Sequence, residues 1–218
     1  MYVGQSFYHA WYLSRELRKI GWKADVLNID VDDRFQIFYH GQDFRFRYNG
    51  VVDLLRQLKF YVKSIFDYDI FHFSNAYGIT YGKYVHALGK AYSEYSEIEI
   101  LRRLGKKVVY STNGCPDGAS QTSMSKWGPE RPCAICKWQE VPSVCSDEKN
   151  LAWGKARNRL ADYVVTFDHN PADYNLEPRV HIVPEFFCLD DTFWNQIFSF
   201  PQTTACPSQK RLSRYTIR

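Results

Sequence analysis

The chain has 218 residues, of which 45% are hydrophobic and 24% charged, so it can bury a sizeable core and is not a disordered segment. The formal net charge is only +4 and no Lys/Arg run makes a nucleic-acid arm, which argues against a nucleic-acid partner. No apolar run is long enough to cross a bilayer and no signal peptide opens the chain, so a cytoplasmic protein with mostly reduced thiols is expected.

Tyr2-Val3 is the only candidate for a first strand, and its brevity suggests a missing or clipped one. Ala10, Leu13, Leu17 and Ile20 follow at helical spacing, and Gly21 is placed to end that helix. Ala24 to Ile29 reads as a strand. Phe35 to Tyr39 and Asp43 to Tyr48 alternate like the arms of a hairpin. Val51, Leu54, Leu55, Leu58, Val62 and Ile65 predict a second amphipathic helix, and Asp69 to Phe73 a buried strand.

A third helical region is expected from about Lys83 to Leu104, with Gly105 ending it and a strand over Lys107 to Ser111. Thr112 to about Asp147 reads as a long irregular loop rich in Gly, Pro, Ser and Cys, of a length usually functional, metal-pinned or mobile. Lys149 to Leu160 predicts helix, Tyr163 to Phe167 and Val180 to Val183 predict strands, and Leu189 to Phe198 a short helix. Strands alternating with helices predict a Rossmann-like, doubly wound, mostly parallel sheet. Ligands of such sheets sit beyond the C-terminal strand ends, which selects the loops after Phe73, Ser111 and Phe167. The domain spans about residues 1–200, with 201–218 a tail or the start of a further domain.

Several segments resemble family 4 glycosyltransferases in order. They are the helix from Tyr8 to Gly21 leading into Lys23–Leu27, Tyr68-Asp-Ile-Phe-His-Phe73, Leu101–Tyr110 followed by Asn113-Gly-Cys, Ala161–Thr166 and His181-Ile-Val-Pro184. The resemblance implies one half of a GT-B fold: the acceptor-side domain of a hexosyl- or other glycosyltransferase. A C-terminal domain beyond residue 218 would bind the nucleotide-sugar donor, and this half would be inactive alone. The acceptor would be a glycan or a lipid-linked sugar, with peripheral contact at the inner membrane surface and no redox cofactor. The family commonly carries His-Gly where this chain has Asn113-Gly114, and Asn does not titrate near neutral pH. No catalytic residue is assigned.

With that resemblance, Gly4, Gln5 and Ser6 are candidates for a ligand-facing turn, against the plainer reading of a connector. Ser74, Asn75 and Tyr77 follow a strand end and suit sugar hydroxyls, against simple turn chemistry. Asn113 and Gly114 follow another. Asp117 reads equally as a base or a loop cap, and His72 as a core histidine bonded to backbone. Lys155, Arg157 and Arg159 fall on different helix faces, so at most two could meet a diphosphate.

The cysteines carry a separate expectation. Cys133-Ala-Ile-Cys136 has the spacing that lets two thiolates reach one tetrahedral metal, and Cys115 and Cys145 could complete a four-sulfur structural zinc site. Reduced, unligated cysteines are the competing reading. A non-catalytic glycan- or protein-binding module with a zinc-pinned loop is the alternative to an enzyme half.

Overall fold

A computed structural model describes residues 1–4, 9–29, 41–46, 50–74, 78–80, 95–112, 115–126, 132–142, 145–167 and 180–183. The chain separates into a unit Met1–Cys188 and a second unit Leu189–Arg218, and every described residue lies in the first. The short helix expected over 189–198 therefore falls outside the described residues.

Among the described residues seven strands form one sheet: β1 (Tyr2–Val3), β2 (Val26–Ile29), β3 (Phe44–Phe46), β4 (Ile70–Phe73), β5 (Lys107–Ser111), β6 (Tyr163–Phe167) and β7 (Val180–Val183). Their order is β3-β2-β1-β4-β5-β6-β7, and every pairing is parallel. The fold is α/β and Rossmann-like. The strand order reverses between β1 and β4, where a doubly wound sheet opens its binding crevice.

Tyr2–Val3 itself occupies the first-strand position. It pairs with Val26 and Leu27 on one side and with His72 and Phe73 on the other. β3 lies parallel beside β2, at the end of the sheet among the described residues. Its Phe44 and Phe46 rings pack 4.8 and 5.0 Å from Phe60, which fixes that placement. The other expected hairpin arm, 35–39, lies outside the described residues.

Side chains alternate across a sheet, so each strand feeds two cores. On one face Val3, Leu27, Phe71, Phe73, Val108, Tyr110 and Val164 join Tyr61, Ile98, Leu101 and Leu160. Those partners come from α2 (Val51–Asp67), α3 (Ser96–Arg103) and α5 (Asp147–Leu160). On the other face Tyr2 and Val26 meet Ala10, with Trp11, Leu13 and Leu17 of α1 (His9–Lys19). Helices thus cover both faces. Gly21 closes α1 at φ +90°, with its own N–H reaching Arg18 O and that of Trp22 reaching Leu17 O.

The orientation of α2 departs from the sequence reading. Its inward face is Gln57, Tyr61 and Ser64, with Phe60 and the expected Ile65 packed against the core beside them, while Val51, Val52, Leu55, Leu58, Val62 and Phe66 are exposed. Two of the polar inward residues are accommodated by hydrogen bonds: Tyr61 Oη donates to Glu97 O at 2.9 Å and Ser64 Oγ to Phe60 O at 2.8 Å.

The stretch from 112 to 147, expected to be irregular, contains a 3-10 turn at Cys115–Asp117, the short helix α4 (Gln121–Ser125) and a second 3-10 turn at Pro132–Ile135. Ser146 caps α5 by accepting the Lys149 N–H, and Asp147 and Glu148 occupy its first turn.

Candidate functional site

The crevice is built from the C-terminal ends of the inner strands. Ser74 N donates to Val3 O at 3.1 Å, and Gly4 N donates to Leu27 O at 3.0 Å. These bonds join the end of β4 to β1 and the end of β1 to β2. Strand register extends the alignment: Leu27 is level with Val3, Val3 with Phe73, and Phe73 with Tyr110. The next residues, Asn28, Gly4, Ser74 and Ser111, therefore form one row across four neighbouring strands. The structure thus brings Gly4 and Ser74 together at the point where strand order reverses. Gln5, Ser6, Asn75, Tyr77, Asn113 and Gly114 lie outside the described residues.

Alternation puts Asn28, His72 and Ser111 on the face that α1 covers. Asn28 is 2% exposed; its Nδ2 donates to Gln42 Oε1 at 3.2 Å, and its Oδ1 has no partner among the described residues. His72 Nε2 lies 2.5 Å from Ser111 Oγ, and its ring lies 5.1 Å from that of Tyr2. Burial lowers the His72 pKa to about 3, so the imidazole is neutral. His9, at the head of α1, is lowered to about 4 for the same reason. The row is thus a set of uncharged donors and acceptors. His72 is a core histidine as expected, but its partner is a hydroxyl on the next strand and not backbone.

Asn28 and Ser111 carry no sequence signal of their own. Only register places them beside Gly4 and Ser74.

Behind β4, the Gly78–Thr80 turn is held by Glu97 of α3, whose Oε2 accepts the N–H groups of Ile79 at 2.8 Å and Thr80 at 3.1 Å. Asp117 is bound up in packing. Its Oδ1 accepts the Trp153 indole N–H at 3.0 Å, and its carbonyl accepts from Arg157 Nη1. Arg157 is fully buried and also donates to Asn158 Oδ1, so it does not present its charge to a ligand. Arg159 is exposed and pairs with Glu99 at 3.6 Å, while Lys155 is exposed on α5.

The four cysteines Cys115, Cys133, Cys136 and Cys145 all line one small, largely apolar cavity of about 130 Å³. All four are free thiols. Burial pushes the Cys115 thiol pKa up, and the neighbouring Cys145, Cys136 and Cys133 push it the same way. Among the described residues no group of three or more His, Cys, Asp or Glu side chains is already arranged to hold a metal ion.

A larger polar groove of about 410 Å³ includes Arg102, Arg103, Lys106, Lys107 and Arg159. Lys107 opens β5, so this groove sits at the N-terminal strand edge, away from the crevice. No described helix is long and apolar enough to cross a membrane. The chain matches no family model, no curated protein and no solved structure.

Proposed function

We propose that this chain is the acceptor-binding half of a glycosyltransferase, holding a glycan or lipid-linked sugar while a donor-binding domain presents the nucleotide-sugar. The observation that carries this reading is the neutral row Asn28, Gly4, Ser74 and Ser111 at the β1–β4 reversal. Hydroxyl-rich ligands are recognised by just such uncharged donors and acceptors in a crevice. Asn28 offers a buried amide oxygen with no partner among the described residues, and the neutral His72 holds the Ser111 hydroxyl in place. Neither group can titrate onto a phosphate near neutral pH, which suits the acceptor side better than the donor side.

The exposed stripe on α2 favours the lipid-linked acceptor. Val51, Leu55, Leu58, Val62 and Phe66 recur at three- and four-residue steps, and Arg56, Lys59 and Lys63 lie beside them. An apolar stripe flanked by basic residues is the pattern of a helix that rests on an anionic lipid surface.

The test is a titration of the full chain, followed by NMR, with short oligosaccharides, glycolipid head groups and a uridine-diphosphate hexose. A saccharide should shift the Gly4 and Ser74 amides, and Asn28→Ala should weaken that response about tenfold, the loss of one buried hydrogen bond. The nucleotide-sugar should show no micromolar binding. Tight nucleotide-sugar binding, or a saccharide response that Asn28→Ala leaves intact, would refute this division of labour.

A further inference from the structure

We propose that Cys115, Cys133, Cys136 and Cys145 bind one zinc ion as four thiolates, with Gln121 as a positioning residue that holds the Cys145 sulfur. This site is independent of the sugar reading, and either can fail without the other.

Three observations carry it. The first is convergence. The thiols come from three separate places: the turn after β5, the Pro132–Ile135 turn with the residue after it, and the approach to α5. All four line the same cavity. A cavity of about 130 Å³ has ample room for an ion and its sulfur shell. The second is the geometry of the Cys133–Cys136 turn, in which Cys136 N donates to Cys133 O at 3.3 Å. That tight turn carries both thiols of a two-residue spacing towards one point, as tetrahedral zinc sites require.

The third is Gln121, whose side chain and backbone touch the cluster on both sides. Its Nε2 donates to Cys145 Sγ at 3.3 Å and to Gln139 O at 3.3 Å, while its carbonyl accepts from Cys133 Sγ at 3.7 Å. Its own N–H donates to Asp147 Oδ1 at 2.8 Å, which ties α4 to the start of α5. An N–H donated to a ligating sulfur spreads the thiolate charge and sets its direction. In the free-thiol state the sulfurs surround the cavity without forming a ligand set. Binding draws them into a tetrahedron and releases one proton for each thiol not already ionised. Four sulfurs leave no open position, so the ion would be structural and would not activate water.

The consequence for the fold is specific. Thr112 N donates to Val165 O at 3.0 Å, so sheet bonding reaches to within three residues of Cys115. The ion would fasten the loop that follows the Ser111 end of the crevice to the head of α5.

The experiment is cobalt(II) titration of the reduced full chain, with zinc displacement and counting of reactive thiols. The expected result is one cobalt per chain, sulfur-to-cobalt charge transfer and the visible bands of a tetrahedral tetrathiolate, all abolished by zinc. Zinc should protect four thiols from an aromatic disulfide reagent. Cys136→Ser should remove the tetrathiolate spectrum. Gln121→Leu should keep that spectrum but weaken affinity about 10- to 100-fold. The wild-type titration needs no variant to fold, and it overturns the proposal if cobalt does not bind stoichiometrically or if zinc protects no thiols. A spectrum unchanged in Cys136→Ser would overturn the ligand set, and unchanged affinity in Gln121→Leu would overturn the positioning role.

Discussion

Glu97 Oε2 lies 2.8 Å from the backbone nitrogen of Ile79, so a buried carboxylate on α3 holds the turn behind the crevice. Burial pushes the Glu97 pKa up to about 7, against the bonds from Thr80 and Ile79, which lower it. The folded value lies above the ordinary 4.5, so ionisation costs stability. That cost is absent below the ordinary value, grows as pH rises and is complete above about 7. Glu97→Gln keeps the acceptor oxygen and removes the charge. Relative to the parent, the variant should gain about 1–3 kcal/mol between about pH 5 and pH 8, read by urea unfolding. A difference that is flat with pH would show that the carboxylate is not held against its charge.

His72 gives the opposite slope. Burial lowers its folded-state pKa to about 3 from the ordinary 6.5, so the neutral ring stabilises the fold above 6.5. That stability is lost as pH falls through this window. His72→Gln retains a hydrogen-bonding group for Ser111 and does not titrate. The parent should lose about 1.4 kcal/mol per pH unit more than the variant below about pH 6. Parallel acid limbs for the two proteins would contradict the buried neutral imidazole.

Arg157 tests how the Cys115–Asp117 turn is seated on α5. Arg157→Ala removes both the donor to Asp117 O and the buried stem, and should cost about 3 kcal/mol. Arg157→Met keeps the stem and leaves no cation to desolvate, so it should cost clearly less. Equal losses in urea unfolding would mean that packing contributes nothing at this position.

The α2 stripe predicts lipid binding without a stability signal. Leu55, Val62 and Phe66 are 60%, 52% and 82% exposed. The combined change Leu55→Ser, Val62→Ser and Phe66→Ser should therefore alter folding by only about 0.5 kcal/mol per site. Co-sedimentation of the parent with vesicles containing phosphatidylglycerol should fall several-fold in the triple variant. Equal sedimentation of both would exclude α2 as the contact.

The sheet was legible where its strands are apolar and β-branched. Lys107–Ser111 and Tyr163–Phe167 read from sequence with their observed limits, because strands buried on both faces need continuous apolar runs. The direction of α2 was not legible. An apolar stripe faces out, and the inner face sets Gln57, Tyr61 and Ser64 beside Phe60 and Ile65, with the Tyr61 partner elsewhere in the fold and the Ser64 partner within the helix. Gly4 and Ser74 could be nominated as residues following strand ends. Asn28 and Ser111 could not, since their place depends on register between segments far apart in sequence. The convergence of Cys115 and Cys145 on the Cys133–Cys136 turn is likewise a product of the loop's path, which spacing alone leaves open.

The central position of a strand only two residues long bears on how the protein assembles. Val3 lies in the middle of the sheet, yet its neighbour Ser74 stands 71 positions downstream. Until that later segment arrives, the middle of the sheet has one exposed edge and few bonds to hold it. Assembly of this protein should therefore be governed by a slow, long-range closure step, and chaperones that shield unpaired strand edges should speed recovery more than those that assist helices.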